Sequence, residues 1–288
     1  MQIEEKHTLA DKEAYFLRVE EVLGPKLMKK LPRFVVNFVK KLIHQDEMNE
    51  CILNAEAYHG AGFFDEALKY LNITYKVRGL ENLNPDGKYI FACNHCLGGP
   101  EALILGSTFN KVYGKGFKAI SNKLLLHMKP LREFFIPVSV GSANRSRELG
   151  AKIDEVFRSE EQVLIFPAGV CAKKIKGKVT EFPWKKTFIT LARKHERDII
   201  PVHMSGFNSK KYFFLSNLSR FLGLKFNIGM IYLVDELFKQ RGREFVITFG
   251  APVPHESLDR SKTDKVWAAD IRETVKKLSE GNGCLPNM

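Results

Sequence analysis

The chain is predicted to be an α/β protein, with a mostly parallel central sheet flanked by helices and a helical N-terminal appendage. Three features of its 288 residues predict this. Up to about residue 74, apolar side chains recur at three- and four-residue steps, the period of helices. From Ile73 onward, short β-prone runs alternate with helix-length segments, the signature of parallel strands joined by crossover helices. One such run, Tyr89-Ile-Phe-Ala-Cys93, is apolar throughout, as a strand covered on both faces must be. The boundary is placed between a helical region at 1–74 and the α/β domain at 75–288.

The elements follow in order. In 26–43, Leu27, Leu31, Phe34, Val35, Phe38, Val39 and Leu42 share one face, and Lys29, Lys30, Arg33, Lys40 and Lys41 the other, giving a basic amphipathic helix. Pro32 lacks an N–H and crowds the turn before it, so it is expected to start the helix proper after a turn at 26–31. Such a helix suits a lipid interface, and it equally suits capping a domain. Helices at 46–59 and 64–71 follow, the first stopped by Gly60-Ala-Gly62. Strands are expected at 74–78, 88–93, 117–121, 162–167, 198–204 and 243–249, with 131–140 a further segment left without a type. Helices are expected at 101–109, 146–159, 184–195 and 263–279. Residues 205–234 mix Phe207, Tyr212, Phe213, Phe214, Phe221, Phe226 and Tyr232 with Lys210, Lys211, Arg220 and Lys225. That composition fits an interfacial surface, and also a stacking platform for single-stranded nucleic acid.

Forty-five basic against 33 acidic side chains give a net charge of +12. Cellular polyanions are mainly nucleic acid and the anionic membrane leaflet. No helix-turn-helix, RNP or GxxG pattern accompanies the charge, so nucleic acid is not expected as a partner and an anionic membrane surface is. No window reaches the ~18–20 apolar residues of a membrane span. The polar, acidic N-terminus is unlike a signal peptide. A peripheral protein on the cytoplasmic face of the cytoplasmic membrane is therefore expected. The five cysteines (Cys51, Cys93, Cys96, Cys171 and Cys284) have neither zinc spacing nor a paired framework, which points to a reducing setting and no metal.

The most informative stretch is Tyr89-Ile-Phe-Ala-Cys-Asn94-His95-Cys-Leu-Gly98-Gly99-Pro-Glu101. Strand, sharp turn and helix present one imidazole in a crevice, with a carboxylate close enough to orient it. A carboxylate bonded to one ring nitrogen makes the other a better base, fit to take a proton from a hydroxyl attacking a carbonyl or thioester. Taken alone, the stretch fits equally a loop histidine and a solvated glutamate. Cys96, beside His95, invites a thiol-nucleophile reading, but neighbours on a turn normally point apart. Gly98 and Gly99 suit a turn needing positive φ or close approach of substrate to bare backbone. Pro100 suits a first helical turn whose free N–H groups would aim at an oxyanion.

With the downstream blocks added, the chain resembles the glycerolipid acyltransferase superfamily of lysophosphatidic acid acyltransferases. The blocks are Asn94-His95 with Glu101, Val138-Ser-Val-Gly-Ser-Ala-Asn-Arg145, Leu164-Ile-Phe166-Pro167-Ala-Gly169, and Ile199-Ile-Pro-Val-His203, in family order. Three departures mark this chain. Five residues, not four, separate His95 from the acid; that acid is Glu rather than Asp; and Ala168 replaces the usual Glu. The His-x-Leu-Gly-Gly-x-acid form with Phe-Pro-Ala-Gly resembles a bacterial branch that O-acylates lyso-amino-acid lipids of the glycine or ornithine type. Within that branch, Cys96 replaces a usual proline, and Ala172-Lys173 a usual Ser-Arg.

The resemblance implies that 75–288 is a catalytic domain moving a fatty acyl chain from a thioester, either acyl carrier protein or acyl-CoA, to a lyso-lipid hydroxyl. No bound cofactor or metal is implied. His95 would be the general base and Glu101 its partner. Asn94, Gly98, Gly99, Arg145, Phe166, Pro167, Gly169, Lys173 and Lys174 would line the substrate, with Arg145 on the acidic head of the acceptor. The lysines suit an anionic headgroup or a donor phosphopantetheine, and equally a solvated loop. Two other acceptor-level readings are 1-acylglycerol-3-phosphate acylation and a catalytically weakened lipid-binding relative.

Overall fold

The computed structural model describes residues 8–138, 143–175, 177–221 and 228–280. Six helices precede the first strand: α1 (Leu9–Glu13), α2 (Val19–Leu23), α3 (Pro25–Met28), α4 (Arg33–Leu42), α5 (Gln45–Asn54) and α6 (Phe63–Tyr70). Pro32 is the N-cap of α4, the place where its missing N–H costs nothing. The apolar set of α4 divides: Val36, Val39 and Leu42 pack on the core, while Phe34 (74% exposed) and Phe38 (57%) face outward beside Arg33 and Lys41. Helix α5 ends five residues earlier than the sequence suggested. The Lys12 amine takes up the carbonyls of Leu53 (2.8 Å) and Ala55 (2.7 Å), closing the helix before Gly60 is reached.

The remaining elements are β1 (Thr74–Arg78), β2 (Tyr89–Cys93), α7 (Gly99–Tyr113), β3 (Lys118–Asn122), β4 (Phe135–Val138), α8 (Ala143–Arg158), β5 (Val163–Ile165), the β6–β7 hairpin (Lys173–Ile175, Lys178–Thr180), α9 (Thr187–His195), β8 (Asp198–Met204), α10 (Lys210–Phe221), α11 (Ile228–Lys239), β9 (Glu244–Phe249) and α12 (Asp264–Glu280). Seven strands form one sheet in the order β1-β9-β8-β2-β5-β3-β4. Every pair is parallel except β8–β9, so β1 and β9 run against the other five.

Strand β2 sits near the middle and is buried along its length. Phe91 and Cys93 join a cluster with Phe64, Leu97, Phe109 and Phe249 on one face; Ile90 and Ala92 join Phe157, Phe188 and Ile271 on the other. Burial of such a side chain is worth roughly 1.5–3 kcal/mol, which fixes the register and hence where the strand ends. Helices α6 and α7 cross closely: a Cβ on Gly106 would lie 2.5 Å from the Phe64 ring. The N-terminal region joins the first of these clusters through Val19 of α2, Ile52 of α5 and Phe64 of α6, and through Leu17 and Ile43 next to α2 and α4.

Helices α10 and α11 lie in the segment to which the sequence assigned no element. In α11 the run Ile231-Tyr-Leu-Val234 and the pair Leu237-Phe238 leave too few polar positions for a helical period to stand out. No helix among the described residues is long and apolar enough to cross a membrane.

Candidate active site

Strands β8, β2 and β5 are neighbours and parallel, so their carboxyl ends form one edge, where α/β sheets place their chemistry. Asn94, the first residue after β2, is buried and holds that edge together. Its Nδ2 donates to the Met204 carbonyl (3.0 Å), and its Oδ1 accepts from the Met204 N–H (2.7 Å). The amide that the resemblance assigned to substrate is thus engaged with the end of β8. The His95 backbone is pinned on both sides. Its N–H donates to Glu181 Oε1 (2.9 Å), and its carbonyl accepts from the Ala172 N–H (2.7 Å).

Gly98 then turns the chain at φ +91°, a conformation open to glycine, and α7 begins at Gly99 with Pro100 in its first turn. Gly99 is helical and has no positive φ, contrary to the paired-turn expectation; what constrains it is the Leu237 side chain, 3.2 Å from where a Cβ would sit.

Glu101, in that first turn, has no exposed surface and gathers the loop around itself. Its Oε2 meets His95 Nδ1 at 2.6 Å and accepts from Gly98 N–H (3.1 Å); its Oε1 accepts from the N–H groups of Cys96 (2.5 Å) and Leu97 (2.7 Å). The longer glutamate and the additional turn residue therefore suit each other, since the carboxylate bridges the histidine and three backbone donors. This corrects one expectation. Of the N–H groups expected at an oxyanion, that of Gly98 is held by Glu101, and Pro100 has none.

The other ring nitrogen faces the segment after β5. Phe166 stacks on the imidazole (centroids 4.1 Å apart, planes 22° apart). The Phe166-Pro-Ala-Gly169 turn closes through Gly169 N–H to the Phe166 carbonyl (2.9 Å), with Gly169 at φ +73°. Lys185 lies over that turn, its Nζ 2.8 Å from where a Gly169 Cβ would be. Cys171 Sγ sits 3.3 Å from His95 Nε2, and the buried Tyr212 of α10 interacts with the same sulfur. Ala168 belongs to the buried cluster containing Trp184 and Phe188, so a glutamate there would have to place its charge in an apolar setting.

Burial alone would lower the pKa of His95. The Cys171 sulfur and the Glu101 carboxylate outweigh it, by charge and hydrogen bond, and hold the ring well above its ordinary value. Burial raises the Glu181 carboxyl, against its bond from His95 N–H and the charge of Arg272. With Nδ1 held by Glu101, the imidazole is oriented to exchange a proton at Nε2 and nowhere else.

Lys173 and Lys174 lie on β6, Lys173 with its amine 5.7 Å from the Phe182 ring centre. Arg145 falls within α8, and its side chain lies outside the described residues. The sequence reading missed Cys171, Glu181 and Tyr212. Cys171 stands two residues beyond Gly169 and was open to notice; Glu181 and Tyr212 reach the site through folding alone. Among the described residues no group of three His, Cys, Asp or Glu side chains is arranged to hold a metal ion. A surface cavity of about 610 Å³ lined by Arg193, Leu258 and Asp264 among others shares no residue with this site, so chemistry rather than concavity marks it.

Comparison with known proteins agrees with this geometry. Residues 18–278 match a family described as Acyltransferase. A protein of Bacteroides thetaiotaomicron named Lyso-glycine lipid O-acyltransferase is 35% identical over 273 residues, covering 94% of this chain and all of its own length. One of the same name from Phocaeicola vulgatus is 34% identical, covering 94% of this chain and 98% of its own. The crystal structure of the 1-acyl-sn-glycerophosphate (LPA) acyltransferase PlsC from Thermotoga maritima superposes with a TM-score of 0.50 at 16% identity, covering 88% of this chain and 91% of that one. The last likeness bears on the fold.

Proposed function

The chain belongs to the acyltransferase family that its residues 18–278 match, and acts as a lyso-lipid acyltransferase. From that premise we propose that it transfers a fatty acyl group from an acyl thioester, carried by acyl carrier protein or CoA, to the hydroxyl of a lyso-glycine-type lipid, with His95 as general base. The observation that carries the chemistry is the 2.6 Å contact between His95 Nδ1 and the fully buried Glu101. It leaves Nε2 as the proton acceptor when a hydroxyl attacks the thioester carbonyl. As the tetrahedral intermediate collapses, the imidazolium returns that proton to the departing thiolate. No bond to metal or bound cofactor enters these steps.

The glycine-type acceptor is favoured by the full-length likeness to two proteins of that name, and by Ala168. Lys185 over the Phe166–Gly169 turn supplies a cation for an acceptor carboxylate, and Lys173 and Lys174 on β6 add to it. The outward Phe34 and Phe38, flanked by Arg33 and Lys41, suit the α4 face to the surface of an anionic membrane, where such an acceptor resides.

The test is lipid mass spectrometry of cells that contain both lyso-glycine lipid and lysophosphatidate and express wild type or His95→Ala. Diacylated glycine lipid should accumulate with wild type alone. Matching profiles would refute acyl transfer, and a rise confined to phosphatidate would refute the glycine acceptor.

A further inference from the structure

Exposed apolar side chains gather at one place on the molecule. Of thirteen large ones among the described residues, five fall on the β6–β7 hairpin, its approach and α10: Val170, Ile175, Val179, Phe214 and Leu218. The two elements touch, and Asn217 Nδ2 of α10 donates to the Lys174 carbonyl of β6 (2.9 Å). Phe214, 66% exposed, and Leu218 lie four residues apart on one side of α10, with Lys211 a turn before them. Tyr212, Phe213 and Ser216 are buried on the other side. In the hairpin, Lys174 pairs with Val179 and Ile175 with Lys178, so each face of the ribbon carries an apolar side chain beside a lysine. Neither 170–180 nor 209–218 contains an Asp or Glu.

A contiguous exposed apolar cluster marks an interaction surface, and the amines around this one select an anionic partner. A folded protein would cover one side of a two-stranded ribbon. The headgroup layer of a bilayer covers both, burying the apolar side chains while the lysines meet lipid phosphates. The surface is also a wall of the catalytic crevice. Val170 precedes Cys171, whose Sγ lies 3.3 Å from His95 Nε2, and the Ala172 N–H donates to the His95 carbonyl (2.7 Å). Tyr212 reaches the same sulfur from the buried side of α10. Helix α11 packs on both α10 and α4, which links this surface to the outward Phe34 and Phe38.

We propose that the β6–β7 hairpin and the outward face of α10 form a lipid-inserting rim of the active site, which enters the headgroup layer of an anionic bilayer and opens His95 toward the lipids there. The proposal deepens the lyso-lipid reading of the site and rests on it. The α4 face holds the protein at a membrane, and the rim sets which way the crevice points. With the rim seated, an acceptor presents its hydroxyl to Nε2 while its own chain stays among the lipids.

The test places tryptophan at position 214 of the full chain and adds phosphatidylglycerol vesicles whose acyl chains carry bromine, a contact quencher. Val266→Trp is the control, since α12 packs on the opposite hydrophobic cluster from α11. Trp184 and Trp267 set the wild-type background. Phe214→Trp should lose at least about twice the fraction of emission that wild type loses, and Val266→Trp no more than wild type. Quenching of Phe214→Trp equal to that background overturns the proposal. Phe214→Ser with Leu218→Ser should weaken both vesicle binding and transfer to vesicle-borne lyso-glycine lipid at least about tenfold, at an unchanged melting temperature. The same variant should keep transfer to a short-chain, water-soluble acceptor within about twofold of wild type, which separates seating from chemistry. Lys178→Glu with Lys210→Glu and Lys211→Glu should lose phosphatidylglycerol binding in the same way. If that variant binds vesicles like wild type and loses transfer only from palmitoyl-acyl carrier protein, the surface docks the carrier protein and the membrane proposal falls. A wild type that acylates neither acceptor overturns the acyl-transfer reading, and the quenching still decides whether this surface enters lipid.

Discussion

Replacing Glu101 with glutamine changes one atom of the site and tests two of its functions together. Glu101 Oε1 accepts from Cys96 and Leu97 N–H, while Oε2 meets Gly98 N–H and His95 Nδ1. In Glu101→Gln the oxygen best keeps the first pair, which turns the NH₂ group toward the second. Gly98 N–H then faces a donor, and a buried donor left without a partner costs about 1–3 kcal/mol. The opposite flip orphans two N–H groups and is worse. At roughly 2–4 °C per kcal/mol for a chain of this size, the melting temperature should fall by about 2–12 °C. The amide also donates to Nδ1, forcing the ring proton to Nε2, where the base must be free. Loss of the correct tautomer in the serine-protease triad lowers kcat about 10⁴-fold, or about 5 kcal/mol at 1.36 kcal/mol per tenfold. A loss of about 10³- to 10⁴-fold is expected here. The assay is acyl transfer from palmitoyl-CoA to lyso-glycine lipid, with melting followed in parallel at temperatures where both proteins are folded. Activity within threefold of wild type would refute the tautomer argument, whatever happens to stability.

Other perturbations separate structure from chemistry. Gly98→Ala places a Cβ 3.2 Å from Leu233 at φ +91°, so about 1–2 kcal/mol of stability should be lost, read as a lower denaturant midpoint. Arg197 is buried and donates to the carbonyls of Phe157 (2.8 Å), Glu161 (2.7 Å) and Ser159 at the end of α8. Arg197→Ala should therefore cost about 3–5 kcal/mol in urea unfolding while leaving kcat of the folded fraction near wild type. Because the folded pKa of His95 is raised, its stabilising contribution is full below the unfolded value and fades as pH rises through the folded one. The melting-temperature advantage of wild type over His95→Gln should accordingly shrink from pH 6 upward, and a widening gap would contradict the assignment. Phe34→Ser with Phe38→Ser should weaken sedimentation with phosphatidylglycerol vesicles at least tenfold and leave the fold intact, since both side chains are exposed.

Much of the fold could be read in advance, because strands buried on both faces write themselves as unbroken apolar runs. The strand at 198–204 coincides with β8, and β2 differs from its expectation by one residue; the half-exposed β1 coincides with 74–78 through its alternation instead. The helical pair at 210–239 escaped because α11 carries few polar positions to mark a period; the strand at 243–249 was read as β9, but its antiparallel direction was not, because pairing direction leaves no trace in one strand's sequence. The position of Glu101 beside His95 was legible from six-residue spacing across a Gly-Gly-Pro turn. Its bonds to three backbone N–H groups were not, since the same spacing fits a loop whose donors remain open. Cys171, 76 residues from His95, was hinted at by its place two residues beyond the Gly169 motif, whereas Glu181, 86 residues away, reaches it only through folding. Long-range closure of that kind has no local signal.

Purified wild type and His95→Ala, each given lyso-glycine lipid with palmitoyl-CoA or palmitoyl-acyl carrier protein, provide the most direct measurement. Ester product is quantified by mass spectrometry over the first turnovers. Wild type should form the diacylated lipid with at least one donor, and His95→Ala should form it at least about 10³-fold more slowly. Equal rates for the two proteins, or no ester from folded wild type with either donor, would contradict the role given to His95.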